Sequence, residues 1–85
     1  MDVYKLLIKP SAVKELEAIP REDRRRTIRR IESLAADPRP PSCEKLSGED
    51  KYRVRQGDYR IVYFVSDESR EVTVFKIGHR REVYR

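Results

Sequence analysis

Apolar positions change their period along this chain. Residues 3–10, VYKLLIKP, form a short apolar run stopped by proline, the pattern of an opening strand. From Ser11 the spacing becomes helical: Val13, Leu16 and Ile19 recur at three-residue intervals until Pro20 interrupts them. A second segment opens with Glu22 and Asp23, acidic residues that suit the positive end of a helix, and carries a narrow apolar stripe of Ile28, Ile31, Leu34 and Ala35. The pattern predicts two helices joined by a tight corner. Residues 36–50 are rich in proline and polar side chains and read as a long loop.

Beyond the loop the period drops to two. Residues 51–56 and 59–66 flank Gly57 and Asp58, a pair suited to a two-residue hairpin turn, and SDESR then turns the chain into a last strand over 71–77. Such a turn pairs Gln56 with Tyr59, Arg55 with Arg60, Val54 with Ile61 and Arg53 with Val62. Side chains alternate across a strand, so Arg53, Arg55 and Arg60 share one face, while Tyr52, Val54, Ile61, Tyr63 and Val65 share the other and can receive the helices. Arg55 opposite Arg60 is a repulsive pair that asks for an anion nearby. Two kinds of anion fit: a protein carboxylate, for which Asp58, Glu49 and Glu82 are nearest in sequence, or the phosphate of a ligand. The closing GHRREVYR supplies His79, Arg80, Arg81 and Tyr84, which can fold back toward the same face, and Lys51 begins the strand that carries Arg53. An imidazole or phenol there could stack on a base of single-stranded RNA.

Composition limits the alternatives. With 85 residues the chain is expected to be one domain, 1–85, with a single modest core. Charged residues make up 41% against 38% hydrophobic, and the formal charge is +5, which favours a polyanionic partner without requiring one. The arginines of the second helix, Arg24, Arg25, Arg26, Arg29 and Arg30, are expected either to pair within the helix with Glu22 and Asp23 or to touch an RNA backbone. One cysteine, Cys43, excludes an internal disulfide and a cysteine zinc site, and with a single histidine no metal or cofactor is expected. No apolar run has the length of a membrane span and MDVYKLLIKP lacks the features of a signal peptide, so a cytoplasmic location without membrane contact is expected.

These residues resemble the RelE/ParE toxins of prokaryotic toxin–antitoxin pairs, and among them the RelE-like messenger RNA interferases. The resemblance runs over nearly the whole chain and rests on the order of elements, on KLSG before the hairpin, on YRVRQGDYRIVYFV and on GHRREVYR. It implies an α+β fold with two N-terminal helices packed on one face of a small, mainly antiparallel four-stranded sheet. It also implies a ribosome-dependent endoribonuclease that cuts messenger RNA in the A site, held in check by a RelB-like antitoxin. Carried over by position, Arg53, Arg55, Arg60, Arg80 and Tyr84 are the catalytic candidates, with His79, Arg81 and Lys51 as substrate-binding candidates. The RelE type has lysines where Arg53 and Arg55 stand, and arginine cannot give up its proton as a lysine can. A ParE-like toxin that poisons DNA gyrase without being an enzyme, and a degenerate RNA-binding module, are the other readings of the same fold.

Overall fold

The structure is a computed structural model, and it describes residues 3–46 and 50–79. Its elements are β1 (Lys5–Ile8), α1 (Pro10–Glu17), α2 (Arg21–Ala36), β2 (Glu44–Lys45), β3 (Lys51–Gln56), β4 (Tyr59–Ser66) and β5 (Glu71–His79). They build a five-stranded sheet in the order β1-β5-β4-β3-β2, antiparallel except for the parallel β1–β5 pair. The expected α+β architecture is therefore present with one more strand than the four anticipated. The extra strand is β2, two residues of the loop 36–50 that have no strand pattern of their own. Pairing creates it: Glu44 lies opposite Arg53 and Lys45 opposite Tyr52, and the Leu46 amide donates to the Lys51 carbonyl at 2.8 Å.

Pro10 ends β1 and begins α1, because a proline has no amide to lose in the first turn of a helix. Ala12, Leu16 and Ile19 then pack on the sheet. Pro20 makes the corner, and its carbonyl accepts the Arg24 amide at 2.8 Å to start α2. The buried stripe of α2 is Thr27, Ile31 and Leu34: Ile31 and Leu34 are buried as expected, but Thr27 is wholly buried where Ile28, 36% exposed, was expected. A hydroxyl can be buried here because Thr27 Oγ1 donates to the Asp23 carbonyl at 2.8 Å. Packing therefore chose between the neighbours Thr27 and Ile28, and hydrophobicity alone pointed to the wrong one.

The hairpin register agrees with the pattern of the chain. Gly57 takes φ 60°, and Gln56–Tyr59, Arg55–Arg60, Val54–Ile61 and Arg53–Val62 are paired. Tyr52, Val54, Ile61, Tyr63 and Val65 are buried beneath the helices with Val72, Val74 and Ile77 of β5. Tyr63 is fully buried, stacks on Tyr52 at 5.8 Å and donates its hydroxyl to the Pro38 carbonyl at 2.7 Å. Burial pushes its phenol well above the ordinary tyrosine range, so it stays neutral. The loop after α2 is clamped by Arg39, which donates to Tyr52 Oη at 2.8 Å and to both Asp67 oxygens at 3.1 and 2.9 Å. Tyr4 Oη donates to the same carboxylate at 2.6 Å, tying β1 to the β4–β5 turn.

Candidate nucleic-acid interface

Among the described residues the two helices cover one face of the sheet and no element packs on the other, here called the open face. Across the open face the register lays down three rows. The first is Leu7, Thr73, Phe64 and Lys51, the second Val62, Arg53 and Glu44, the third Gly78, Arg60 and Arg55. Gly78 has no side chain to stand against Arg60, and Arg60 is 4% exposed while Arg55 is exposed. The two opposed arginines therefore differ in environment: one is a desolvated charge held against the sheet, the other reaches solvent. Arg53 lies between these extremes, with 16% of its side chain exposed.

Among the described residues, a carboxylate against these cations comes from an unexpected place. Asp58 is in the turn, and Glu49 and Glu82 lie outside the described residues, but Glu44 accepts from Arg53 Nε at 3.1 Å and Nη2 at 2.8 Å. The Arg53 hydrogen bond and charge, with smaller contributions from Arg55 and Arg60, hold the Glu44 carboxyl below the usual carboxylate range. No acidic residue alternates with the arginines along β3 and β4. The signal for Glu44 was instead its place in β2, which could be found only by recognising that strand.

Beside the cations lies an aromatic pair. Phe64 and Phe75 stack at 4.8 Å, and Lys51 Nζ stands 5.7 and 5.2 Å from their centroids, with Lys9 Nζ 5.9 Å from Phe75. Phe64 belongs to the Arg60 face by simple alternation, so its position was readable from the chain. Phe75 joins it at the register shift between Val62 and Tyr63, where Lys76 and Val74 are the successive partners. The arrangement offers flat apolar surface and cations side by side, the two elements of single-strand recognition.

Of the candidate residues, Arg53, Arg55, Arg60 and Lys51 share the open face. Arg80, Arg81 and Tyr84 lie outside the described residues. His79 does not join the arginines. Two positions after the core residue Ile77, it points to the helix side, meets Tyr59 edge-on at 5.7 Å, and lines a cleft of about 380 Å³ with Glu15, Ala18 and Ile19. Strand parity places it there, against the expected fold-back. For the α2 arginines, the expected pairing with Glu22 and Asp23 is not found among the described residues. Arg24 bonds the Glu17 carbonyl and Arg30 the Ser42 hydroxyl, while the ion pairs of the described residues leave Glu22 and Asp23 unused and Arg25, Arg26 and Arg29 without a carboxylate. Among the described residues no three His, Cys, Asp or Glu side chains group together, and no helix is long and apolar enough to cross a membrane.

Comparison with known proteins bears on this geometry. Residues 6–84 match the family described as the ParE toxin of the type II toxin–antitoxin system parDE. The chain is 29% identical over 86 residues to the candidate toxin RelE1 of Methanocaldococcus jannaschii, covering 96% of each. Among solved structures it resembles the RelE–RelB complex of Pyrococcus horikoshii, with TM-score 0.80, 28% identity, and 92% and 96% of the two chains covered. It is equally similar to a free arginine-to-alanine double mutant of Escherichia coli RelE, with TM-score 0.79, 30% identity, and 96% and 90% covered.

Proposed function

This chain belongs to the RelE/ParE toxin family of type II toxin–antitoxin systems, and from that premise we propose that it is a ribosome-dependent endoribonuclease that cuts messenger RNA in the A site and halts translation. The observation that carries the reading is the shared open face of Arg53, Arg55 and Arg60 on a fold like that of the RelE toxins.

The reaction is attack of the RNA 2′-oxygen on the adjacent phosphorus. The bond from phosphorus to the 5′-oxygen breaks, a 2′,3′-cyclic phosphate and a 5′-hydroxyl form, one proton leaves the 2′-OH and one reaches the 5′-oxygen. Arg53 and Arg55 present planar forks to the non-bridging oxygens as charge builds on them. Buried Arg60, paired with Arg55 on the neighbouring strand, adds a second charge beside it. An arginine cannot serve as the base, and His79 lies on the helix side of the sheet, so proton transfer is assigned to Tyr84, with Arg80 on the phosphate and Lys51 and Arg81 along the RNA backbone. Positioning can contribute about 7–11 kcal/mol and each preorganised donor about 3–4 kcal/mol, so weak proton transfer suffices if the ribosome holds the RNA in line. A RelB-like antitoxin segment is the partner this reading implies, its acidic residues meeting a chain of net charge +5.

The test is cleavage of one messenger RNA on programmed ribosomes in their magnesium buffer and as free RNA, the free arm with and without chelator. A-site cuts with cyclic phosphate ends that need the ribosome are expected. Fast, metal-requiring cleavage of free RNA would overturn the reading. Because the matched family carries the ParE name, a gyrase assay runs beside it. Gyrase-dependent DNA breaks with intact messenger RNA would select the second reading.

A further inference from the structure

The Glu44–Arg53 contact is not explained by the fold alone. Glu44 sits on a two-residue edge strand and is half-exposed at 51%, whereas the Arg53 side chain is held against the sheet at 16%. The cation is the enclosed partner and the anion the one that faces solvent. Both Arg53 donors converge on a single carboxylate oxygen, Oε1, at 3.1 and 2.8 Å, the same edge of the guanidinium that receives a phosphate oxygen. Arg55 and Arg60 also lie within electrostatic reach of this carboxylate.

We propose that Glu44 is an internal stand-in for RNA phosphate: its carboxylate fills the Arg53 fork in the free protein, and a phosphodiester must displace it to engage the open face. The nature of that phosphodiester rests on the ribonuclease reading above; the occupancy of the fork does not. Displacement costs the same for every phosphate that arrives. A loosely tumbling polyanion gains little beyond that cost, whereas a phosphate positioned by a large assembly has its entropy already restricted and can meet it. Glu44 is thus a positioning residue that sets the threshold for productive binding, keeping the basic face from being saturated by unpositioned RNA. It also keeps Arg53 extended along the sheet, ready for exchange of one anion for another.

The experiment measures binding of two probes to the full chain at low salt: a labelled single-stranded oligoribonucleotide and inorganic pyrophosphate. The Arg53 Nε–H resonance is followed in the same titrations. Glu44→Gln, which keeps the shape and removes the charge, should bind both probes about fivefold more tightly, with the gain fading as salt rises. Glu44→Asp keeps the charge but withdraws it by one methylene. It should fall between the two, and it keeps the test open should the first variant unpair β2. In the wild type the Arg53 signal should move on saturation to the position it takes in liganded Glu44→Gln. Equal or weaker binding by Glu44→Gln, wild-type affinity in Glu44→Asp, or an unmoved Arg53 signal would each overturn occupancy of the fork. Binding of neither probe by any variant would overturn it too. If pyrophosphate shows the full effect while free RNA binds none of the variants, the stand-in survives, and the ribonuclease reading stands or falls separately on A-site cleavage by wild type on programmed ribosomes.

Discussion

The two faces of the sheet are built from the same strands by opposite physics. The covered face takes alternate residues of β3, β4 and β5, from Tyr52 to Ile77, and removes them from water beneath two helices. Its residues are interchangeable in kind, and what matters is volume and fit. The open face takes the residues between them and holds charges close together: Arg53, Arg55 and Arg60, with one carboxylate from β2. Here identity and geometry matter, and stability gains little. One register produces both, because a slip of one residue would exchange them entirely. The stable face therefore protects the functional one: no arrangement of the arginines is possible unless the helices hold that register.

The sharpest test of this division is to damage each face separately. Leu34, wholly buried on the inner face of α2, should on truncation to alanine cost about 2–5 kcal/mol of unfolding free energy in urea titration, with cleavage lost only in proportion to the unfolded fraction. Arg55→Ala should do the reverse. Single-turnover cleavage on programmed ribosomes is expected to fall about a hundredfold, with the urea midpoint nearly unmoved, while Arg55→Lys retains much of the rate. A large stability loss in Arg55→Ala, or an intrinsic rate defect in Leu34→Ala, would break the comparison.

Arg39 sharpens it at the boundary, since it touches a residue of the covered face and one of the turns. Arg39→Ala should lower the melting temperature by less than Leu34→Ala does. It should also flatten the acid limb of stability. The Arg39 hydrogen bond, with help from Tyr4, holds the Asp67 carboxyl below its ordinary value, as Arg53 does for Glu44. A depressed folded pKa stabilises above the unfolded value and is lost as pH falls through the folded one. Wild-type stability should therefore decline from about pH 4 downward, less steeply in the variant. Parallel acid limbs in the two proteins would remove Asp67 from the account. The smallest effect is expected at Ile28: being 36% exposed, its replacement by serine should change stability by about 0.5 kcal/mol or less. A loss comparable to that of Leu34→Ala would restore Ile28 to the core.

Tyr84→Phe and His79→Ala divide the proton-transfer question along the same line. On the assignment above, the pH profile of cleavage should flatten in Tyr84→Phe and persist in His79→Ala, whose imidazole lies with Tyr59 on the helix side. The opposite pattern would return the role to His79 and require the tail to carry it round the sheet edge.

The chain alone determined what depends on neighbours in sequence. Gly57-Asp58 and the alternation on either side specify the hairpin, its register and the common face of Arg53, Arg55 and Arg60, because a two-residue turn and a period of two leave no freedom. The prolines at 10 and 20 punctuate the two helices for an equally local reason: the missing amide. Even the side taken by His79 was present in its spacing from Ile77. Tertiary structure decided what depends on partners distant in sequence. Thr27 entered the core in place of Ile28 because packing selects the helix face and its hydroxyl finds a carbonyl one turn back. Glu44 became a strand residue and met Arg53 only because β3 offered it an edge to pair with. Arg60 lies on β4 with a strand on either side and is buried, whereas Arg55 lies on β3, where β2 pairs only with Tyr52 and Arg53, and stays exposed. Burial and ion pairing are sums over neighbours from the whole fold, and no local pattern carries them.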